Sequence, residues 1–571
     1  MAGAFPVEEA PQRRFATISS QDEYLIFPTD LGEADAGFHV RGEMAGYWHH
    51  PFRLFRSMHV YCGGERLRPD RVQWYPWKFN ATFGEGKLTV SLLTGGGLEI
   101  SFLWMRHKDM VIDLRPQEVW LSTGRGCSII SKGGSVVLVC GGLEFTVRAE
   151  RMELRGETLT VGLGRYGSFL ILPQGRGSAL ASYPSHRYLL PLRMVQVEPQ
   201  GSWVAGACQM AKSNIAMLIQ RWGGKHLLTA GHPDFPWFFA IDTFLSARGA
   251  MYTGEWRAVA DTLRFLASRS SGGRIPHEVV TNGVVYNSGD LEESALFPAV
   301  VAEASMWRRS WRLFSELSDT VGRSVRYVWE TGLTGRGIME DQDRGSGIDI
   351  DTVCFFTRSL ELLLTVPEGV LGATGLGREE VGEMLRSSRR LLEAFWLPET
   401  GTYANRIVEG VPRDLGFWTS VLPLFMGMSS EERAREFASS GYLRISGDGG
   451  ITVSPGGTVM PVNNGIAAIG LMRYGLVGPA MREFLSLSRS LGRYSPGCFP
   501  EMSNREGCYL QAWSAAMFIQ ALVEAIGGYD PTGGGKKREC PEVLEHLGLP
   551  SLSMRNVVTP QGQVDIDVLS G

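Results

Sequence analysis

The sequence predicts a multidomain β-then-α chain: an N-terminal antiparallel β-sandwich over residues 1–202, an (α/α)6 toroid of six helical hairpins over 203–527, and a C-terminal linker with an extended tail over 528–571. Three observations predict it. At 571 residues the chain exceeds a single domain of roughly 150 residues. Its first two hundred residues alternate apolar and polar positions between glycine turns. From about Trp203 the apolar spacing becomes helical.

The β part rests on short runs rich in β-branched and aromatic residues: Lys87–Leu93, Leu98–Trp104, Ser135–Val139, Leu143–Val147, Thr158–Gly164 and Ser168–Pro173. Gly95-Gly96-Gly97, Gly133-Gly134 and Gly141-Gly142 punctuate them, the pattern of a sandwich or barrel. No acids, histidines or nucleophiles gather there, so this half reads as a scaffold or lid.

The helical part follows from apolar residues at i, i+3, i+4 and i+7. The segments so marked include Thr243–Met251, Trp256–Ser268, Leu291–Ala304, Trp307–Leu317, Thr352–Leu364, Arg378–Phe395, Gly416–Met426, Glu431–Phe437, Gly465–Tyr474, Met481–Ser490 and Tyr509–Ile526. About a dozen helices joined by alternating short and long loops imply six hairpins closed into a ring. The tail from Gly527 reads as a linker followed by the extended segment Val557–Val568.

Composition excludes several classes. With 56 Lys+Arg against 60 Asp+Glu, the formal charge is −4, unlike the basic face of a nucleic-acid binder. No apolar run approaches the roughly 18 residues of a membrane span, and the start of the chain lacks the apolar core of a signal peptide, so a cytoplasmic location is expected. Eight cysteines without a CxxC spacing argue against zinc ribbons and thioredoxin chemistry. Reduced thiols are expected, with Cys498 and Cys508 near enough in sequence to bridge a loop.

Four loops concentrate chemical residue types. His232–Phe244 offers Trp237, Phe238 and Phe239 before Asp242, which reads either as a helix cap with core aromatics or as an aromatic sugar platform with a carboxylate gripping hydroxyls. Arg274–Glu293 brings His277, Glu278, Tyr286, Asn287, Asp290, Glu292 and Glu293 together, with Asp290 and Glu293 also spaced as a capping box. Gly337–Thr352 crowds Glu340, Asp341, Asp343, Asp349 and Asp351. Counted from Asp341, Ser346 and Thr352 stand where a calcium loop needs Gly and Glu, so an EF-hand is rejected. Carboxylates so crowded can keep one proton near neutral pH, as a general acid requires. Tyr494–Ser514 carries Glu501 after Pro500, then Gln511 and Trp513 at the start of a helix. Gly528–Lys537 does not satisfy a P-loop, and neither GxSxG nor HExxH occurs.

Taken in order, these loops resemble the six-hairpin glycosidases, in particular the amylo-α-1,6-glucosidase part of glycogen debranching enzymes and the processing-α-glucosidase-type hydrolases. The resemblance covers about residues 205–527. It rests on Trp237, Asp242, Thr243 and Phe244; on Tyr286, Asn287 and Asp290; on Glu340 after Gly337 and Met339; and on Glu501 ahead of Gln511–Ser514. The family's acid is usually Asp, whereas Glu340 is followed here by Asp341; Ile241 replaces the Arg that often precedes the aromatic-loop Asp.

What the resemblance implies is an inverting, exo-acting glycoside hydrolase that releases a terminal sugar, expected to be α-glucose, from an oligosaccharide or small glycoside. Glu340 or Asp341 would protonate the leaving oxygen, and Glu501 would activate water, the two carboxyls standing roughly 6.5–9.5 Å apart. Trp237, Phe238, Asp242, His277, Glu278, Tyr286, Asn287, Asp290, Gln511 and Trp513 would hold the sugar, with no metal or cofactor and no nucleic-acid or membrane partner. A phosphorylase on the same barrel, or a non-catalytic carbohydrate-binding protein, are the other readings. Mannosyl- or glucosyl-glycerate, trehalose and α-1,6 branch points stand beside α-glucosides as substrates, and oligomeric state is left open.

Overall fold

The structure, a computed structural model, describes residues 7–9, 15–20, 23–31, 44–93, 96–118, 126–174, 193–331, 347–444, 450–504 and 507–570. Glycine pairs with positive φ, such as Gly133-Gly134 and Gly141-Gly142, supply hairpin turns that residues with a Cβ rarely adopt. Between the turns, alternate residues are buried, as in Ser135–Cys140 and Thr158–Leu163.

Three antiparallel sheets result. A nine-stranded one runs in the order Val7–Glu9, Arg71–Tyr75, Lys78–Phe83, Gly86–Leu92, Leu98–Trp104, Tyr166–Pro173, Leu143–Arg148, Ser135–Cys140, Cys127–Lys132. A five-stranded sheet is centred on Lys108–Asp113, and another joins Phe15–Ser20, Glu23–Pro28, Gly46–His49, Phe52–Phe55 and Gln117–Glu118. The register sets Cys127 directly opposite Cys140, and the two form a disulfide, while Cys498 and Cys508 are free thiols. The expectation of reduced cysteines throughout is corrected at this pair, because cross-strand neighbours 4.3 Å apart at Cα bring their sulfurs within reach.

The helical part begins at α1 (Trp203–Met217), which Ser202 caps by accepting from the Ala205 N–H. It continues through α2 (Ala240–Tyr252), α3 (Trp256–Ala267), α4 (Leu291–Trp307), α5 (Arg312–Thr331), α6 (Ile350–Leu363), α7 (Arg378–Glu393), α8 (Leu422–Phe425), α9 (Glu431–Ser439), α10 (Pro461–Arg473), α11 (Val477–Arg489) and α12 (Ala512–Ala521). Glu368–Leu371 and Val543–Leu547 are single helical turns.

Two kinds of helix are present. In α3, α5, α7 and α11 burial follows one stripe, whereas α2 is buried except at Arg248, α10 except at Arg473 and α12 except at Trp513. A helix apolar all round must be covered on every side. The even helices accordingly touch one another in a closed cycle: α2 with α4, α4 with α6, α6 with α8, α8 with α10, α10 with α12, and α12 with α2. Glycine permits the closest of these approaches. A Cβ on Gly249 of α2 would collide with the carbonyl of Ala516 of α12.

The C-terminal segment is more than a linker. Ser551–Thr559 and Gly562–Leu569 form a hairpin that adds Gln196–Glu198 as a third strand. Trp307 Nε1 donates to the Val558 carbonyl and Arg309 Nε to the Pro560 carbonyl, at 3.0 and 2.8 Å, tying the hairpin to the end of α4.

Candidate active site

Short strand pairs gather the N-terminal ends of the even helices. Gly231-His232, ahead of α2, pairs with Leu510-Gln511, ahead of α12; Phe238-Phe239 pairs with Glu278-Val279, ahead of α4. Ile350, opening α6, donates to the Asn405 carbonyl at 3.0 Å. Residues far apart in sequence thus meet at one end of the helical cycle.

Asp242 lies in the first turn of α2, but Phe239 occupies the cap position and Asp242 does not cap the helix. Its Oδ1 instead accepts from Gln511 Nε2 at 2.7 Å. Burial raises its pKa to about 8, the charges of Glu501 and Glu278 add to the rise, and His277 opposes it. Glu501 is held by its own loop: its N–H donates to the Cys508 carbonyl at 2.8 Å and its Oε2 accepts from the Cys508 N–H at 2.9 Å. Burial raises it to about 7; the Cys508 N–H pulls it down and the charge of Asp234 pushes it further up. Glu501 therefore ionises first, and its charge then helps Asp242 keep a proton. Gly507 leaves room for this carboxylate, since a Cβ there would come within 2.6 Å of Glu501 Oε2.

Trp237 is 1% exposed and donates from Nε1 to Glu278 Oε1 at 2.5 Å. Phe238 is fully buried, with its ring packed edge-on against Phe265 at 5.0 Å. It packs in the core, and the strand alternation that turns Phe239 toward His277 turns Phe238 away. Tyr286 is 56% exposed on its strand. Asn287 Oδ1 accepts from the Gly289 N–H at 3.0 Å. Asp290 caps α4, and Glu293 closes the capping box by accepting from the Asp290 N–H at 2.8 Å.

His277 Nδ1 donates to Glu293 Oε1 at 2.5 Å. Burial works to raise Glu293, but this bond, the imidazole charge and backbone N–H groups bring it below the usual carboxylate range. His277, Glu292 and Glu293 hold ligand atoms within 4.8 Å of one another, a spacing a metal could use. Both Glu293 oxygens and His277 Nδ1 are already engaged, however, so this cluster is accounted for by capping.

Glu340 and Asp341, with Asp343, lie outside the described residues. Asp349 is bound by Arg406 through two bonds of 2.8 Å, and Asp351 accepts from the Thr352 N–H.

Several residues at this end carry no signal in acid-rich loops. Asn463, in the first turn of α10, is fully buried with neither amide atom partnered among the described residues; the same holds for Gln511 Oε1, Trp513 Nε1 and Ser514 Oγ. The N-terminal sheets also reach this end. Tyr24 stacks on His232 at 4.2 Å, Trp48 stacks on Tyr24 at 5.9 Å, and His50 lies 6.5 Å from the Trp237 ring. Burial lowers both His50 and His232 to about 3, so both imidazoles are neutral at physiological pH. Strand pairing sets Tyr24 beside Trp48, and His50, two residues further on, reaches the Trp237 ring, so the β half supplies aromatic and imidazole groups to this end.

No family model matches the chain, and no curated protein matches it by sequence. Its fold is similar to that of solved structures of glycoside-active enzymes. One is a putative kojibiose phosphorylase from the human microbiome, at a TM-score of 0.52 and 11% identity, covering 98% of this chain and 95% of that one. Another is the GH78 family rhamnosidase of Bacillus sp. GL1, at 0.50 and 14%, covering 78% and 52%. A third is the GH63 mannosylglycerate hydrolase from Thermus thermophilus, at 0.42 and 16%, covering 55% and 99%. What the first two similarities define is a fold: sheets followed by a cycle of helices.

Proposed function

We propose that the helical cycle is an (α/α)6 toroid over 203–527, that the sheets of 1–202 form a β-sandwich packed on it, and that the protein is an inverting, exo-acting glycoside hydrolase. The observation that carries this reading is the buried pair Asp242 and Glu501, coupled through charge, beside Trp237 and Phe239 at the end where the even helices begin. Such a pair offers one ionised and one protonated carboxyl near neutral pH.

In this reading Glu501 is the general base. With its pKa near 7, it removes a proton from water as the oxygen attacks the anomeric carbon. The leaving oxygen takes its proton from Glu340 or Asp341, and the sugar departs with inverted configuration. Asp242, still protonated, donates a hydrogen bond to a sugar hydroxyl while accepting from Gln511. Phe239, Trp237 and Trp513 form apolar walls suited to sugar C–H faces, and the Asn463 amide and Gln511 Oε1, unpartnered among the described residues, are offered to hydroxyls. Asp290, as a helix cap, acts by fixing the His277 loop.

The second reading is a phosphorylase. The favouring observation is that the similarity spanning 98% of the chain is to a protein described as a putative kojibiose phosphorylase. A carboxylate at Glu501 favours hydrolysis, because phosphate needs no general base. The test is incubation of the purified protein with α-1,4 and α-1,6 gluco-oligosaccharides, kojibiose, trehalose and glycosyl-glycerates, with and without inorganic phosphate. Free sugar released at the same rate without phosphate supports the hydrolase. Sugar 1-phosphate formed only with phosphate supports the phosphorylase, and turnover of no substrate supports the carbohydrate-binding reading.

A further inference from the structure

A thiol, an amine and a carboxylate meet in the N-terminal sheets, none of them part of the candidate active site. Ser57–Cys62 pairs antiparallel with Lys108–Asp113, and Tyr61 faces Asp109. One step beyond that pair, the register sets Cys62 beside Lys108 on one face of the sheet. Gly63 and Gly64, both at positive φ, turn the chain immediately after Cys62.

Lys108 Nζ donates to Cys62 Sγ at 2.8 Å and to Glu85 Oε2 at 2.7 Å. Glu85 sits in the turn between Lys78–Phe83 and Gly86–Leu92 of the nine-stranded sheet, so the lysine joins two sheets. Its side chain is 1% exposed, and a buried ammonium persists only beside partners that match its charge. The bond to Cys62, then that to Glu85, hold it above the ordinary lysine value against the pull of burial.

Exposure separates Cys62 from the other thiols. Of the six free cysteines it is the one partly exposed; Cys208, Cys354, Cys498, Cys508 and Cys540 are buried. Lys212 and Cys208 are a second lysine–cysteine neighbourhood, but both donate to the Val195 carbonyl, at 3.3 and 3.4 Å, rather than one to the other. Cys62 thus combines access with an ammonium at its sulfur, the surroundings of thiols that react with oxidants.

We propose that Cys62 and Lys108 form a peroxide-responsive modification site, which closes on oxidation into a sulfur–nitrogen bond between the two strands. The Cys62 thiolate attacks one oxygen of hydrogen peroxide and the O–O bond breaks. The departing hydroxide takes a proton from the Lys108 ammonium, leaving a sulfenic acid, a free amine and water. The amine nitrogen then attacks the sulfur, the S–O bond breaks, and hydroxide leaves with the nitrogen's proton as a second water. Peroxide is reduced and sulfur is oxidised by the same electron pair. The new bond removes the Lys108 charge and releases the Glu85 side chain, 44% exposed, to solvent, which loosens the tie between the sheets. The site does not depend on the glycosidase reading.

Peptide mass mapping of the full chain, after hydrogen peroxide and then alkylation, tests it. Met105, 73% exposed, gauges the dose through its sulfoxide. Wild type is expected to yield peptides joined at Cys62 and Lys108, lighter than the separate parts by one hydrogen from sulfur and one from nitrogen. Dithiothreitol is expected to restore both, and Cys208 and Lys212 are expected to stay unlinked. Lys108→Met is expected to slow oxidation of Cys62, relative to Met105, by about tenfold. Lys108→Arg keeps the charge without the amine, so a sulfenic acid trapped by dimedone is expected there, without a link. No linked peptides in wild type, Cys62 carried to sulfinic acid with Lys108 free, or unslowed oxidation in Lys108→Met would overturn the proposal. If neither variant folds, the wild-type link and its reversal still decide it.

Discussion

Asp242 and Glu501 owe their high proton affinity to burial, and burial has a consequence for stability as well as for chemistry. The folded chain keeps the Asp242 proton to about pH 8, whereas the unfolded chain releases it near the ordinary value of 3.8. Between those values the native state binds more protons, so stability falls as pH rises. Asp242→Asn cannot lose that proton, so its stability relative to wild type is expected to improve from pH 5 to pH 9, by on the order of a few kcal/mol. Denaturant titrations at the two pH values check this. If Glu501 is the general base proposed, kcat/KM is expected to rise with pH through about 7, its folded value. Trp237→Phe keeps the ring but leaves the buried Glu278 carboxylate short of a donor. A stability loss of about 1–3 kcal/mol is expected, read by the same denaturant method.

At the scale of elements, the α4 capping box gives a clean separation of roles. Asp290→Ala removes the cap and is expected to cost about 1 kcal/mol, whereas Asp290→Asn, a good cap, is expected to leave both stability and KM near wild type. A marked rise of KM in Asp290→Asn would instead put the side chain on the sugar.

Elements with strong local patterns were legible in the sequence. Leu98–Trp104 is found where alternation placed it, and α6 differs by two residues at its start and one at its end. Gly416–Met426 was not: after Gly416 at positive φ the chain makes a tight turn over Trp418–Val421 and only then the short α8, with Pro423 in its first turn. Helical spacing of apolar residues does not reveal such a break. The strands before residue 84 escaped notice because several, such as Glu23–Pro28 and Phe52–Phe55, are buried at every position and show no alternation.

At the scale of the whole molecule, one continuous apolar cluster runs from Ala16 in the sheets through the helices to Val568 in the tail. A second joins Tyr24 and Trp48 to Trp237 and Tyr509 beside the candidate site. With the parts sharing a core, heating is expected to give one cooperative transition in calorimetry, and two separated transitions would show independent units. The order of loops in the sequence put Asp242 in one cleft with Glu501 and set Glu340 or Asp341, outside the described residues, opposite Glu501; it did not point to Tyr24, Trp48, His50 and Asn463. Those depend on tertiary closure, which no local spacing records.

The most direct measurement is proton NMR of the anomer released from an α-gluco-oligosaccharide by wild type, beside Glu501→Gln, Glu340→Gln and Asp341→Asn. The expected result is β-glucose as the first product from wild type, with turnover reduced about 10²–10⁴-fold in Glu501→Gln and in one of the other two. Release of α-glucose, or full activity in Glu501→Gln, would contradict an inverting mechanism built on Glu501.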